Sequence, residues 1–375
     1  MAGIYIHIPF CRQKCFYCDF YKTDDTQFIS RYINVLAKEI TLRKNYLENE
    51  SIETIYFGGG TPSVLTENQL IQILQFIFKE FRVLPAAEIT FEANPDDLSK
   101  EYLEGLIRCG INRLSIGIQS FNDELLKKMN RRHNSIQAVQ AVENAAKAGL
   151  DNISVDLIYG LPGLTTGEWQ RSLGQVFRLP VVHLSAYHLT YHEGTKFYSW
   201  LKKGILKETG ENESAGQFNI LVDKAADEGF ELYEISNLAK NQMYSKHNTS
   251  YWTGKKYLGL GPSAHSFNGI TRQWNFSDIE KYLLAYENGN LFYEEEILTT
   301  SEKFNEYILT RLRTQWGVST ASLEYEFGHE KVVHFLKNIE KYVNTGLVIR
   351  ENGNFTFSRD GLFVSDDILA QLMII

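Results

Sequence analysis

Three of the four cysteines lie in one short segment, C-x-x-x-C-x-x-C, formed by Cys11, Cys15 and Cys18. The segment follows GIYIHI, an apolar run that is typical of a β-strand, so the three thiols belong to a loop in which they can converge. Clustered cysteines in a chain without a disulfide framework indicate a metal or catalytic site. The spacing therefore raises the question of which metal group three thiolates would hold.

The number of thiols separates the candidate groups. A structural zinc ion takes four ligands, usually from two C-x-x-C pairs, and this chain has no second pair, although His7 or Asp19 could complete a set. A four-iron cluster that is fully ligated for electron transfer also takes four thiolates. Cys109 lies at a predicted helix end, and we interpret it as a small buried apolar residue. Three thiolates favour a cluster that keeps one iron free for another ligand.

Six repeats of strand and helix are predicted to position this loop. Thr66 and Gln69 form a capping box at the start of one helix, and Gly110 and Gly149 stand where helices end in a left-handed residue. Strands separated by helices form a parallel sheet with ligand sites at its carboxyl ends. Because six units are too few for a closed eight-stranded barrel, residues 1–190 are predicted to form a partial (β/α)6 barrel of the α/β class. The predicted strands cover residues 3–8, 53–57, 88–92, 113–118, 153–159 and 183–189.

The pattern changes after residue 190. Residues 191–299 are predicted to form an α+β extension, with one helix at 210–229 and one strand at 233–239. Residues 300–375 contain three helical segments followed by LVIRENGNFTFS, in which the ENGN turn between alternating runs indicates a β-hairpin. Helices followed by a hairpin resemble a winged-helix module, so we expect this module at the carboxyl end.

Composition excludes several classes of protein. With 43% hydrophobic and 22% charged residues the chain is globular, and its net charge of −8 gives no basic surface for nucleic acid. The amino-terminal residues do not form a signal peptide, and no later run is long and uncharged enough for a membrane span. We therefore expect a soluble cytoplasmic protein rather than an integral membrane protein.

A second motif gives the cysteines a context. GGGTP, at residues 58–62, follows the second predicted strand, and together with C-x-x-x-C-x-x-C it resembles the radical S-adenosylmethionine (SAM) superfamily. In that superfamily three cysteines hold a [4Fe-4S] cluster, and the methionine part of SAM chelates the fourth iron. The open corner has a physical reason, because an electron enters the sulfonium only if cluster and cofactor touch. The resemblance implies that Cys11, Cys15 and Cys18 bind the cluster, and that SAM contacts Tyr5, Tyr17, Gly59, Gly60, Thr61, Glu92, Gln119, Arg131 and Asp156.

Within the superfamily the chain is similar, over nearly its whole length, to the oxygen-independent coproporphyrinogen III oxidases and their HemW-type relatives. The oxidases carry a further cysteine two residues after the third, where this chain has Phe20. They also carry an amino-terminal extension, whereas here the cysteine motif begins ten residues into the sequence. HemW-type proteins, which are regarded as heme chaperones, match the short start and the aromatic residue.

The segment HNTSYW, at residues 247–252, matches an H-N-x-x-Y-W motif that is associated with heme binding in the same subgroup. A neutral imidazole from His247 suits a heme iron, and Tyr251 and Trp252 offer flat surfaces to a macrocycle. His265 is a rival ligand.

Two functions follow from the resemblance. As a heme chaperone the protein would bind heme, the cluster and SAM, and would pass heme to an acceptor protein such as a membrane respiratory enzyme. As an oxidase it would cleave SAM reductively, and the resulting radical would oxidise the propionate side chains of coproporphyrinogen III. Both functions need an electron donor, and neither decides between a monomer and a dimer. Phe20 and HNTSYW favour the chaperone.

Overall fold

The computed structural model of the chain describes residues 1–374. The first half consists of successive strand and helix units, as predicted. The elements are β1 (Ala2–Ile8), α1 (Ile29–Arg43), β2 (Ile52–Gly59), α2 (Glu67–Glu80), β3 (Val83–Ala93), α3 (Lys100–Arg108), β4 (Arg113–Gln119), α4 (Asp123–Lys128), α5 (Ser135–Lys147), β5 (Ile153–Tyr159), α6 (Thr166–Val176) and β6 (His183–His188).

These six strands pair in chain order, and every pair among them is parallel. Their carboxyl ends therefore meet at one edge of the sheet, where the long loop of residues 9–28 follows β1. The predicted capping box of Thr66 and Gln69 is present, and Gly110 and Gly149 have φ angles of 89° and 100°. The predicted partial (β/α)6 barrel is confirmed.

The next part of the chain widens this sheet on both sides. Its elements are α7 (Lys196–Lys202), α8 (Glu211–Asp227), β7 (Phe230–Glu234), β8 (Asn237–Lys240), α9 (Lys246–Trp252), β9 (Tyr257–Leu260), β10 (His265–Phe267), β11 (Thr271–Asn275), α10 (Ile279–Glu287) and β12 (Tyr293–Ile297). Strand β9 joins the free edge of β1 in parallel, and β10 to β12 continue from it in antiparallel order. Strands β8 and β7 extend the other edge beyond β6. The single strand predicted at 233–239 was wrong, because the chain turns after Glu234 and makes an antiparallel pair.

The carboxyl-terminal part forms the predicted winged-helix-like module. It comprises α11 (Thr300–Leu312), β13 (Val318–Ser319), α12 (Thr320–Phe327), α13 (His329–Asn344), β14 (Val348–Glu351), β15 (Asn354–Phe357), α14 (Arg359–Phe363) and α15 (Ser365–Leu372). Strands β14 and β15 form the predicted hairpin, and its turn residues Asn352 and Gly353 both have positive φ. Two positive φ angles match the twist of the strands, which explains the choice of Asn-Gly.

Buried apolar side chains form two clusters. One extends from Ala2 to Tyr286 and joins the barrel to the extension, while the other lies within residues 304–372. The division into domains at 1–190, 191–299 and 300–375 stays a prediction. Among the helices of residues 1–374, none combines the length and the apolar composition that a membrane span requires.

A buried ion pair ties α1 to the extension. The carboxylate of Glu39 accepts hydrogen bonds from the Gly261 amide at 2.8 Å and the Tyr282 hydroxyl at 2.6 Å, and it lies 3.4 Å from the Arg43 guanidinium. Arg43 also donates to the Gln273 side chain at 2.6 Å. Both charged side chains are almost fully buried. The pair therefore holds α1, β9, β11 and α10 in one arrangement.

We predict that Glu39→Gln lowers the free energy of unfolding by about 3–5 kcal/mol. The amide brings donor hydrogens against partners that all donate, and it leaves the Arg43 charge buried without a counter-ion. The matched control is Glu287→Gln, which breaks the exposed pair with Arg31 and should cost under about 1 kcal/mol. Urea unfolding measures both values, and equal losses would contradict the prediction.

Candidate functional site

The carboxyl ends of the barrel strands surround a cavity of about 410 Å³. The three clustered cysteines line it, while Cys109 lies at the end of α3, outside it. All four cysteines are free thiols. The Thr61 hydroxyl donates to Cys11 Sγ at 3.2 Å, and Arg131 Nη1 donates to Cys15 Sγ at 3.4 Å. A hydroxyl and a cation therefore already face two of the sulfurs, as thiolates require.

The loop that carries the cysteines is closed by hydrogen bonds near its base. The Cys11 amide donates to the Thr23 carbonyl at 2.9 Å, and the Thr23 amide donates to the Pro9 carbonyl at 2.6 Å. The buried His7 donates from Nε2 to the Tyr21 carbonyl at 2.8 Å. These bonds bring the two ends of the loop together, so the cysteines stand over the cavity rather than in solvent.

The GGGTP segment passes close to β1. Gly59 has a φ of 103°, and a Cβ there would lie 2.6 Å from His7 Nδ1. A Cβ on Gly60 would lie 2.8 Å from the Ile8 carbonyl oxygen. Glycine is therefore required at both positions, and the segment presents backbone groups and Thr61 to the cavity.

Of the three carboxylates that line the cavity, Glu92 and Asp156 lie on barrel strands, while Asp19 lies on the cysteine loop. Glu92 accepts a hydrogen bond from the Tyr56 hydroxyl at 2.7 Å, and desolvation raises the pKa of Glu92 to about 7. Asp156 accepts from the Ser115 hydroxyl at 3.2 Å, and desolvation raises the pKa of Asp156 as well. Carboxylates whose charged form is disfavoured by burial gain from a cationic ligand, because its charge stabilises the ionised form.

The structure brings together most of the residues predicted to contact SAM. Tyr5 is the exception, because its hydroxyl donates to His7 Nδ1 at 3.1 Å and its ring packs against Tyr56 below the cavity. Tyr5 therefore supports His7, and its contact with SAM stays a prediction. The predicted residues that do line the cavity are Tyr17, Gly59, Gly60, Thr61, Glu92, Gln119, Arg131 and Asp156.

The placement of His247 disagrees with the prediction that it binds a heme iron. His247 lies on α9 with 1% of its surface exposed. Its Nδ1 is hydrogen bonded to the Thr54 hydroxyl and its Nε2 to the Tyr251 hydroxyl, each at 2.8 Å. Both ring nitrogens are thus occupied, and the ring is stacked on Tyr56. In this arrangement the histidine and Tyr251 plug the amino end of the barrel.

The other aromatic positions near the motif are more open. Trp252 is half-buried at the end of α9. The rival ligand His265 is exposed on β10, and its ring is stacked on Trp274 with centroids 6.4 Å apart. Partial desolvation and the nearby Arg272 lower the pKa of His265, so its imidazole is neutral at neutral pH.

Sequence reasoning missed several cavity residues. Arg113 and Ser115 alternate with apolar residues on β4, and this period of two places them on the same face as Gln119. That signal was available from the sequence. Asn248 belongs to the HNTSYW segment, but that motif did not indicate a place in this cavity, because only the fold brings α9 beneath the barrel. The missed residues include Asn94, Arg113, Ser115, Ser185, Tyr187 and Asn248.

Comparisons with known proteins agree with this geometry. The radical SAM superfamily profile matches residues 5–176, and the HemN C-terminal domain profile matches residues 298–364. The chain is 34% identical to the heme chaperone HemW of Bacillus subtilis, over 100% of this chain and 99% of that protein. It is 33% identical to HemW of Lactococcus lactis, over 99% and 97% of the two chains.

The chain belongs to the HemW family of the radical SAM superfamily. Among solved structures, coproporphyrinogen III oxidase (HemN) of Escherichia coli superposes with a TM-score of 0.86 at 22% identity, over 99% of this chain and 90% of that one. This likeness shows that the HemW-family chain has the HemN fold, including the carboxyl-terminal extension.

Membership of the superfamily implies a [4Fe-4S] cluster and SAM, and the residues present fit both. Within residues 1–374, no three His, Cys, Asp or Glu side chains are close enough to hold a single metal ion. Three free thiols spread over one wall of a cavity suit a group of several irons. Burial raises the pKa of the Cys11 thiol to about 11, so cluster binding must displace a proton there. Beside the thiols, the glycine backbone, Glu92 and Asp156 offer acceptors to a cationic nucleoside.

We predict that Cys15→Ser abolishes the broad iron-sulfur absorbance of anaerobically reconstituted protein, because the cluster loses one of three protein ligands. The matched control is Cys109→Ser, which removes a thiol outside the cavity and should leave the absorbance unchanged. Iron and sulfide analysis of both variants checks the assignment. A full cluster in Cys15→Ser, or a loss in Cys109→Ser, would show that the ligand set is wrong.

Proposed function

We propose that this protein is a heme chaperone that binds heme together with a [4Fe-4S] cluster and SAM, and that delivers heme to an acceptor protein. The observation that carries the proposal is the similarity to proteins named heme chaperone HemW over the full length of both chains. Phe20 supports it, since an exposed aromatic ring stands at the cavity mouth where the oxidase pattern has a cysteine.

In this proposal Cys11, Cys15 and Cys18 hold the cluster, which supplies single electrons at low potential to a bound sulfonium. The chain's own residues bind and orient SAM. Glu92 and Asp156 accept hydrogen bonds from its ammonium and hydroxyl groups, and the glycines of GGGTP allow its methionine end to approach the backbone. Arg131 remains beside Cys15, held there by the Asn94 side chain at 2.7 Å.

We propose His265 as the axial ligand of heme, in place of His247. The exposed imidazole is neutral, as iron ligation requires, and Trp274 beside it offers a flat apolar surface to the macrocycle. His247 would have to break two hydrogen bonds and leave the barrel before it could reach an iron. Trp252, half-buried on α9, remains a proposed heme contact.

The cellular setting is part of the proposal. Free thiols and an iron-sulfur site fit the reducing cytoplasm, where an electron donor is also available. The acceptor is a heme protein, and a membrane respiratory enzyme is one such acceptor. The net charge of −8 argues against nucleic acid as a partner.

We predict that His265→Ala weakens heme binding at least about tenfold and shifts the Soret band, because the iron loses its protein ligand. His247→Ala should keep the Soret band of the wild type and lower the unfolding temperature instead, because it opens the floor of the barrel. His329→Ala, an exposed histidine of the carboxyl-terminal module, is the control and should change neither. Heme titration followed by absorbance gives the answer. If only His247→Ala loses heme, the axial ligand is His247 of the HNTSYW segment and not His265.

The alternative function is oxidation of coproporphyrinogen III, which the cavity lined for SAM and the HemN fold favour. We expect the reconstituted protein, incubated without oxygen with coproporphyrinogen III, SAM and a reductant, to release no protoporphyrinogen over many equivalents of substrate. Chromatography of the porphyrins after oxidation measures the product. Catalytic turnover would replace the chaperone proposal with the oxidase.

A further inference from the structure

Arg113 is a buried cation at the deep end of the barrel cavity, and two of its guanidinium nitrogens have no hydrogen-bond partner among the described residues. It is the first residue of β4 and has 1% of its surface exposed. Arg113, Ser115, Gly117 and Gln119 all line the cavity, as the alternation of a strand requires. Arg113 and Gln119 stand at opposite ends of β4, six steps of strand apart, so the backbone of Arg113 lies roughly 20 Å deeper in the barrel than that of Gln119.

The guanidinium is not satisfied by the protein. Its Nε and Nη1 are buried and have no hydrogen-bond partner within residues 1–374. Burying such donors unpaired is costly, and native proteins normally fill such a site with an acceptor. A buried side chain that lines a cavity with free donors therefore indicates a missing ligand.

The carboxylates around the cavity accept their hydrogen bonds from other groups, although Glu92 and Asp156 lie near enough for the charge of Arg113 to oppose the rise of their pKa. Glu92 accepts from Tyr56, Asp156 accepts from Ser115, and Glu88 accepts from the amides of Lys246 and His247. The neighbouring histidines add no second positive charge, since burial and Arg113 itself lower the pKa of both His183 and His247. The donors of Arg113 thus face the cavity, and no carboxylate of residues 1–374 forms a salt bridge with them.

The other residues of the cavity indicate the chemistry of the part of the ligand that Arg113 does not bind. Tyr56 stands level with Arg113 across β3 and supplies aromatic surface, and Asn248 adds a polar group from α9. Ile158, Ser185 and Tyr187 line the same cavity nearer the carboxyl ends of the strands, at the level of Gly117 and Gln119. A planar carboxylate matches a guanidinium, and an organic body suits the aromatic and apolar walls.

We propose that Arg113 anchors a second subsite, deeper than the SAM site, that binds the carboxylate of a small organic acid. This subsite holds its ligand beside SAM and not in place of it. The inference does not depend on heme binding, so its failure would leave the chaperone proposal standing.

The test uses protein reconstituted with its cluster and saturated with SAM. Propionate, inorganic phosphate and chloride are titrated at constant ionic strength while the unfolding temperature is recorded. Propionate should raise the unfolding temperature more than the other two anions, with an affinity that falls at least tenfold in Arg113→Gln and less in Arg113→Lys. Arg178→Gln, on the outer surface of the barrel, is the matched control and should behave like the wild type.

Three results would overturn the proposal: a propionate effect that persists in Arg113→Gln, an equal effect of phosphate, or an effect that excess SAM abolishes. If the Arg113 variants do not fold, a wild-type crystal soaked in propionate decides the question. Density for a carboxylate against Arg113 supports the subsite. Density elsewhere, or none at a concentration that saturates the thermal effect, rejects it.

Discussion

The close packing around His7 is the constraint on which the site depends. His7 stands on β1 between two strands, and Gly59 of β2 and Gly261 after β9 have no side chain where they meet it. A Cβ at Gly261 would lie 2.6 Å from the His7 carbonyl oxygen, which also accepts from the Tyr32 hydroxyl at 2.7 Å. The same residue holds the returning end of the cysteine loop through Tyr21. One contact point thus fixes β1, both neighbouring strands, α1 and the loop, and a displacement there would move the thiols away from GGGTP.

Much of the fold could be predicted from the sequence, because the six barrel strands are apolar runs separated by capped helices. The strands beyond the barrel could not. Strand β10 has only three residues, and β9 pairs with β1, which lies some 250 residues earlier in the chain, so no local pattern announces either. The end of β7 at Glu234 could not be predicted either, because YEISNLA has the composition of a single strand.

The candidate site likewise contains some residues whose role can be predicted from the sequence and others whose role depends on the fold. Its cysteines and glycines have the spacing of the radical SAM superfamily, and this resemblance implies their role even without a structure. His247 is different, because its burial depends on Thr54 and Tyr251 completing its hydrogen bonds inside the fold. The i, i+4 spacing of His247 and Tyr251 predicts only that they share a helix face. Whether that face meets solvent or the barrel floor is decided by Glu88, whose carboxylate binds the first amides of α9 and orients it.

The polar interior of the barrel indicates that the cavity binds a ligand. A core optimised only for stability would fill this space with apolar side chains, because Glu92, Asp156 and Arg113 are expensive to desolvate. The Glu39 and Arg43 pair shows how this chain treats a purely structural buried charge, since Glu39 is surrounded by donors and Arg43 by acceptors. Inside the cavity the carboxylates keep raised pKa values and Arg113 keeps free donors. Arg113 in the cavity thus lacks hydrogen-bond partners, whereas the Glu39 and Arg43 pair outside it has them. A binding cavity requires this difference, because its ligand supplies the missing partners.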